Sequence, residues 1–229
     1  MNLKGISHYL GLSCYPVAFL SFFNILYSSY FDHFLNLNSY IITFFASIFF
    51  GTSFFLIGKN SNRDIKFYEQ LFLILIIYLV ISFLISIPYY LSNYQLTFID
   101  SYFESVSGLT ATGFSIFDNI KFLDPTLILW RSSSQWIGGL FFLIFIVLIF
   151  SSFKNDYKLT NLVYNPDKAT NLYKNFDKII YKVFFIYIFF FIKIFFLLSF
   201  SGVRLFNGFN FTMTIVSTGG FLPTNSLAE

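Results

Sequence analysis

The chain has 229 residues, of which 56% are hydrophobic and only 11% are charged, with a formal net charge of +3. A soluble domain carries about 25% charged residues, and 37 Phe and 16 Tyr cannot all be buried in one water-soluble core of this size. These numbers exclude an ordinary soluble domain and indicate a polytopic membrane protein. The single cysteine, Cys14, excludes an internal disulfide and any Cys-based metal cluster.

Five apolar runs have the length of about 20 residues that a hydrocarbon layer of about 30 Å requires of a membrane helix. They predict helices at approximately residues 10–31, 39–57, 67–91, 127–150 and 179–200. The first run lacks a small-residue cleavage site, so we expect it to be a retained helix rather than a signal peptide. The longest polar segment, residues 151–178, has no apolar periodicity and is expected to be a loop.

A polar stretch from Asp100 to Phe114 follows the third apolar run. It is too short and too polar to span a bilayer, and its pattern predicts a short helix that leads into a turn rich in Thr and Gly. Irregular backbone at membrane depth is tolerated only where protein buries it or water lines it. We therefore expect a re-entrant loop whose carbonyl groups face something polar. Residues 207–229, which follow the fifth run, have the same character.

The two short segments coincide when the sequence is shifted by 107 residues, which places Gly113 on Gly220 and Phe114 on Phe221. Hydroxyl residues coincide as well, and the third predicted helix falls on the fifth. An internal repeat of this kind indicates that the fold is built from two copies of one structural unit. It predicts an all-α polytopic membrane protein with two leading helices followed by helix–re-entrant pore loop–helix repeats of potassium-channel type. The predicted segments are 1–66 (two leading transmembrane helices), 67–152 (first repeat), 153–178 (cytoplasmic loop) and 179–229 (second repeat, incomplete after its pore loop).

Basic residues are distributed unequally between alternate loops. One side of the membrane collects Lys4, Lys59, Arg63, Lys66, Lys154, Lys158, Lys168, Lys174, Lys178 and Lys182. The other side has Lys121 and Arg204, with Arg131 near a helix entrance. The positive-inside rule then predicts a cytoplasmic amino terminus, and both Gly-rich segments enter from the outer face.

The two turns, Ala111–Phe114 and Thr218–Phe221, contain no ionisable side chain. They offer backbone carbonyls, and rings of carbonyls can replace the hydration shell of an alkali cation. An anion would require exposed N–H groups, Arg or Lys. A transition metal would require His or Cys, and both histidines, His8 and His33, lie outside the predicted spans. The carboxyl end of the preceding short helix also favours a cation. The residue types therefore select a hard monovalent cation.

The segment 103–115, together with Trp130–Gly139 and the second turn Val216–Phe221, closely resembles the Trk/Ktr/HKT potassium transporter superfamily, specifically its TrkH-type subunits. In that family four helix–loop–helix repeats surround one potassium pathway. The resemblance implies that backbone groups coordinate the ion, at Ala111, Thr112, Gly113, Thr218, Gly219 and Gly220. Ala111 departs from the Thr expected there, which matters little if the carbonyl is the ligand.

The same resemblance implies a potassium uptake protein of the bacterial inner membrane, with sodium or a proton as the coupling ion. It also implies a cytoplasmic nucleotide-binding regulatory subunit as a partner. The Lys-rich loop between Lys154 and Lys182 faces the correct side for such a subunit. Attraction of this loop to anionic membrane lipid is an equally good interpretation.

Several residues around the first turn have a structural and a functional interpretation. Trp130 is favoured as an interfacial anchor, and Glu104 as a brace that accepts backbone hydrogen bonds within the loop. Gly138 and Gly139 would let their helix approach the short helix closely, with Arg131 near the outer mouth and Gln135 on the same helix face. The acidic residues Asp100, Asp118 and Asp124 either concentrate cations at that mouth or are ordinary surface acids. Lys193, within the fifth span, stays unassigned.

Glu229 follows the second turn by only eight residues, so the sequence contains two turns where a four-fold ring needs four. We expect either a truncated product or a missing half supplied by another chain, including a homodimer partner, and truncation is favoured. The alternatives to uptake are a simple potassium channel and a non-conducting regulatory fragment. An intramembrane hydrolase would need a nucleophile with a base inside the spans. The sequence offers no such pair, so we predict that the protein is not an enzyme.

Overall fold

The computed structural model describes residues 2–59, 65, 67–156 and 166–224. These residues form seven α-helices and one short 3₁₀ helix, Ile120–Phe122. The α-helices are α1 (Leu3–Tyr30), α2 (Leu37–Gly58), α3 (Phe67–Tyr90), α4 (Phe98–Leu109), α5 (Pro125–Asp156), α6 (Pro166–Phe200) and α7 (Leu205–Val216). Five of them, α1, α2, α3, α5 and α6, are long and apolar enough to cross a membrane. The predicted all-α polytopic fold is confirmed.

Helices α1 and α2 form a closely packed hairpin. A side chain at Gly11 of α1 would place its Cβ 2.7 Å from the carbonyl oxygen of Gly51 on α2, closer than non-bonded atoms approach. Helix α1 begins seven residues earlier than its apolar run predicts, because Asn2 caps it by accepting a hydrogen bond from the Gly5 amide at 3.0 Å. The expectation that both histidines lie outside the spans is therefore wrong. His8 is buried in α1, with its ring centroid 4.9 Å from that of Phe55.

Helical backbone extends further into the polar segment 151–178 than its lack of periodicity indicates. Helix α5 continues to Asp156, and α6 begins at Pro166. Residues 157–165, in the middle of the Lys-rich loop predicted to contact a partner or lipid, lie outside the described residues. The same holds for residues 60–64 and 66, which include two of the basic residues used to predict the orientation, and for 225–229 at the end of the second repeat.

The offset of 107 residues reappears in the helix boundaries. Helix α4 runs from Phe98 to Leu109 and α7 from Leu205 to Val216, so both ends of the two short helices are related by the same shift. Helix α4 packs against α3 and α5, whereas α7 packs against α5 and α6. Helix α5 thus contacts both short helices, and it is the element that brings the two turns together.

The start of α5 is fixed by Asp124, which caps the helix and precedes a proline at its first position, where the missing N–H costs nothing. One carboxylate oxygen accepts from the Thr126 amide at 3.2 Å, and the other accepts from the Asn36 side chain at 3.0 Å. The Tyr94 hydroxyl accepts from the Asp124 amide at 2.6 Å. Asp124 is buried in this network, so it is a structural residue and not an exposed charge at a mouth.

Trp130 lies one turn further along α5 and is fully buried. Its indole N–H donates to the carbonyl oxygen of Ile85 on α3 at 3.1 Å, and its ring packs against Tyr40 of α2, with 5.7 Å between centroids. The prediction that Trp130 anchors the chain at the membrane surface is wrong. Trp130 instead connects α5 to α2 and α3 through these two contacts.

Candidate functional site

The first turn follows directly from the carboxyl end of α4. The Thr112 amide donates to the carbonyl of Ser107 at 3.0 Å, and the Ala111 amide donates to that of Gly108 at 3.0 Å. Ala111 has φ of +54°, the left-handed conformation that commonly ends a helix but is uncommon for residues other than glycine. Gly113, with φ of +84°, then redirects the chain.

The second turn repeats this geometry at the end of α7. The Gly219 amide donates to the carbonyl of Thr214 at 2.8 Å, and the Thr218 amide donates to that of Ile215 at 3.0 Å. Thr218 has φ of +56°, so the left-handed residue also recurs at the 107-residue offset. The hydrogen bonds and the left-handed residue therefore recur in both turns, whereas the positive φ of Gly113 has no counterpart at Gly220.

The two turns lie against one another at their glycines. A Cβ added to Gly113 would lie 2.6 Å from the Cα of Gly220, and one added to Gly220 would lie 3.1 Å from the Cα of Gly113. The structure thus brings together the two predicted groups of coordinating residues, whose members are Ala111, Thr112, Gly113, Thr218, Gly219 and Gly220. Among the described hydrogen bonds, none uses a carbonyl oxygen of these six residues.

Glu104 of α4 holds the chain that leaves the first turn. One carboxylate oxygen accepts from the Ile116 amide at 3.0 Å, and the other accepts from the Ser115 hydroxyl at 3.1 Å. The side chain is completely buried. The predicted bracing role of Glu104, by acceptance of a backbone hydrogen bond within the loop, is confirmed.

The partner of Glu104 is Arg131 of α5, which the sequence placed only near a mouth. The Arg131 Nε lies 2.9 Å from a Glu104 carboxylate oxygen, and both side chains are at most 1% exposed. The guanidinium also donates to the Ser115 hydroxyl at 2.9 Å. A buried charge is tolerated when it is paired and hydrogen-bonded in this way. The positive charge of Arg131 thus explains how the Glu104 carboxylate can be buried next to the first turn.

Two consecutive glycines of α5 permit its close approach to both repeats. A Cβ at Gly138 would lie 2.6 Å from the carbonyl carbon of Leu109, the last residue of α4. A Cβ at Gly139 would lie 2.8 Å from the Cα of Ser217, in the second turn. The predicted role of these glycines is confirmed, and it extends to the second repeat.

Gln135 makes a contact that sequence reasoning missed. Its side-chain oxygen accepts from the Phe221 amide at 3.1 Å, across 86 residues of sequence. The helical spacing of Arg131, Gln135 and Gly138 was visible in the sequence, but the identity of the partner was not, because it lies in the other repeat.

Metal ligands of the usual kind are not clustered in the described part of the chain. Residues 2–59, 65, 67–156 and 166–224 contain no group of three or more His, Cys, Asp and Glu side chains that could hold a metal ion. What the site offers is therefore two sets of backbone carbonyls, each at the carboxyl end of a short helix, where the helix dipole is negative.

The family model of TrkH, described as a cation transport protein, matches residues 37–229. The chain belongs to the TrkH family. An uncharacterized cation transporter of Methanocaldococcus jannaschii is 28% identical over 225 residues, which cover 98% of this chain and 46% of that protein. The Trk system potassium uptake protein TrkG of Escherichia coli K12 is 30% identical over 102 residues, 44% of this chain and 21% of TrkG.

The fold of the TrkH family is also found in a solved structure. The crystal structure of the potassium transporter TrkH from Vibrio parahaemolyticus superimposes with a TM-score of 0.72 at 19% sequence identity. The match covers 98% of this chain and 45% of that chain, so the chain spans about half the length of the relatives that it matches.

Proposed function

We propose that this chain contributes two of the ion-coordinating turns of a potassium uptake pathway. The observation that carries the proposal is the contact between the two turns at Gly113 and Gly220, with six backbone carbonyls that no described hydrogen bond uses. A cation that loses part of its water shell needs oxygen ligands in its place, and such carbonyls can supply them. The coordinating groups would be the carbonyls of Ala111, Thr112, Gly113, Thr218, Gly219 and Gly220.

The identity of the ion rests on the chemistry of the turns and on the names of relatives. No acidic side chain lies among the six residues, which disfavours a divalent cation, since Ca²⁺ and Mg²⁺ prefer carboxylates. The relatives TrkG and TrkH of Escherichia coli are potassium uptake proteins by name. Potassium is thus the proposed cargo, moving down its electrochemical gradient with sodium or a proton as the coupling ion.

Further polypeptide must complete such a pathway, because two turns supply half of a four-fold ring of carbonyls. We propose that the other turns come from further repeats, either of the same polypeptide or of a second copy. A cytoplasmic nucleotide-binding regulatory subunit and membrane lipid are the other proposed partners. We also propose a bacterial inner-membrane location, and the distribution of basic residues supports a cytoplasmic amino terminus.

Growth on limiting potassium tests this function. The gene, with any continuation of its reading frame beyond codon 229, would be expressed in a bacterium that lacks its own potassium uptake systems. Two versions are compared, the parent and Gly113→Asp. We expect the parent to restore growth and Gly113→Asp to abolish it, because the new side chain would meet Gly220 and displace the carbonyls. Gly202→Asp is the matched control: Gly202 has a similar φ of +83° but nothing within 4 Å of an added Cβ. Equal growth of the parent and Gly113→Asp, at equal amounts in the membrane, would rule the proposal out.

A non-conducting role in assembly or regulation is the second candidate. Potassium flux into vesicles reconstituted with the complete polypeptide, including any continuation of the reading frame beyond codon 229, separates the two. Flux that Gly113→Asp abolishes supports conduction through these turns, whereas flux that Gly113→Asp leaves unchanged supports the assembly role.

A further inference from the structure

The two aromatic residues that follow the turns differ sharply in burial. Phe114 follows Gly113 and Phe221 follows Gly220, at the repeat offset of 107 residues. Phe114 is 69% exposed, whereas Phe221 is 1% exposed. The two turns share their backbone hydrogen bonds, but the positive φ of Gly113 has no counterpart at Gly220, and the surroundings of the two rings differ as well.

The first repeat encloses Phe221 on several sides. The Phe221 amide donates to Gln135 of α5 at 3.1 Å. The guanidinium carbon of Arg131 lies 4.3 Å from the centroid of the Phe221 ring, within the range of a cation–π interaction. A Cβ added to Gly108 of α4 would lie 3.2 Å from a ring carbon of Phe221. Both the backbone and the side chain of the residue after the second turn are therefore held by the first repeat.

Arg131 is fixed at the same time to the first turn. Its Nε pairs with Glu104, and its terminal nitrogen donates to Ser115, both at 2.9 Å. Glu104 in turn accepts from the Ile116 amide, on the chain that leaves the first turn. A continuous set of contacts thus runs from the chain after Gly113, through the buried side chains of Glu104 and Arg131, to the residue after Gly220.

We propose that Arg131 and Gln135 are positioning residues that set the separation of the two turns, and that the discrimination between potassium and sodium depends on them. This inference rests on the proposed function for its ion, but not for its geometry. Carbonyls select between cations through their number and spacing around the ion. Turns that are free to move would close around the smaller sodium ion. Rigid support from residues that do not touch the ion keeps the larger spacing.

Gln135→Leu is the principal variant, because it removes the acceptor for the Phe221 amide while retaining a side chain of similar size. Arg131→Lys tests the second contact, since a lysine keeps the charge but loses the planar fork that holds Glu104 and Ser115 together. Ser133→Ala is the matched control. Ser133 is buried on the same helix, but its hydroxyl donates to the Trp130 carbonyl at 2.9 Å, and no described hydrogen bond joins it to either turn.

The geometry is tested without transport. Spin labels at Phe114→Cys and Ile215→Cys, two exposed sites that belong to the first and second repeat, report the distance between the repeats in a Cys14→Ala background. We expect one narrow distance distribution in the labelled parent and in Ser133→Ala, and a broader or shifted one in Gln135→Leu and Arg131→Lys. Identical distributions in all four proteins would overturn the positioning role, whether or not the chain transports an ion.

The selectivity claim is tested by the ratio of potassium to sodium uptake in the complemented bacterium. We expect Gln135→Leu to lower the ratio by roughly tenfold, the effect of about 1.4 kcal/mol of lost discrimination. Ser133→Ala should leave it unchanged. An unchanged ratio in Gln135→Leu, in cells whose parent protein takes up potassium, would overturn the selectivity claim and leave the proposed function intact. If the parent protein takes up no potassium, both the proposed function and the selectivity claim are overturned. The distance measurement would then still test the positioning role of Arg131 and Gln135.

Discussion

The close approach of α5 to α4 at Gly138 gives a quantitative prediction. An alanine Cβ at this position would lie 2.6 Å from the Leu109 carbonyl carbon, where non-bonded carbon atoms normally lie about 3.5–4.0 Å apart. The Leu109 carbonyl oxygen would lie closer still, so the helices would have to separate by more than about 1 Å. Because both obstructing atoms belong to the backbone, no side-chain rotation relieves the contact.

The cost follows from two opposing effects. Overpacking of a well-packed interior costs up to about 3 kcal/mol, and we take this upper value because backbone must move. Replacement of a helical glycine by alanine returns about 1 kcal/mol. Gly138→Ala should therefore destabilise the protein by about 2 kcal/mol. Gly208→Ala, in α7, is the matched control, because the atoms nearest to its added Cβ are 3.8 and 3.9 Å away. It should gain about 1 kcal/mol.

Thermal unfolding of the detergent-solubilised protein, followed by intrinsic fluorescence, measures the difference. The two tryptophans of the chain, Trp130 and Trp136, both lie on α5, so their emission reports on the helix that the substitution displaces. We expect the unfolding temperatures to rank Gly208→Ala above the parent and the parent above Gly138→Ala. An unfolding temperature of Gly138→Ala at or above that of the parent would refute the packing argument.

Three further substitutions test the supports of the site. Glu104→Gln should cost about 3–5 kcal/mol, because it leaves the buried Arg131 without a charged partner; an unfolding temperature equal to the parent's would contradict the buried pair. Asp124→Ala should cost about 0.5–2 kcal/mol through loss of the α5 cap, whereas Ala at the exposed Asp118 should have no effect on the same measurement. Gly113→Ala and Gly202→Ala should both carry about 1–2 kcal/mol of strain, because each glycine has a left-handed φ. Gly113→Ala should lose more than Gly202→Ala, because its Cβ would also lie 2.6 Å from the Cα of Gly220. Only Gly113→Ala should also reduce potassium-dependent growth, and equal growth of the two variants would show that the contact with Gly220 is unimportant.

Features that depend on local composition could be predicted from the sequence. Long runs of Phe, Ile and Leu specify membrane helices because transfer into hydrocarbon is a property of each segment by itself. The offset of 107 residues, visible in Gly113 and Gly220, predicted both short helices because each repeat carries its own helix, turn and glycine. Bracing by Glu104 was predicted for the same reason, since the groups that it binds are only 11 and 12 residues away.

Features that depend on packing between segments could not be predicted. The residues around His8 lie before the apolar run from which the first helix was predicted. They are helical because Asn2 caps α1 and because α1 packs along α2. Tryptophan is a residue type that often anchors a helix at the membrane surface, so the sequence favoured that role for Trp130. Only the packing of α2, α3 and α5 shows that it is buried.

Phe114 and Phe221 show the limit most directly. The sequence by itself determined that the chain is a membrane protein of two repeats, each with a turn that exposes carbonyl groups, because hydrophobicity and glycine conformation act within a segment. It assigned the two phenylalanines the same place in the repeat. Only the tertiary structure decided that one is exposed and the other is held by Arg131 and Gln135, because burial depends on which helix of another repeat lies against the turn.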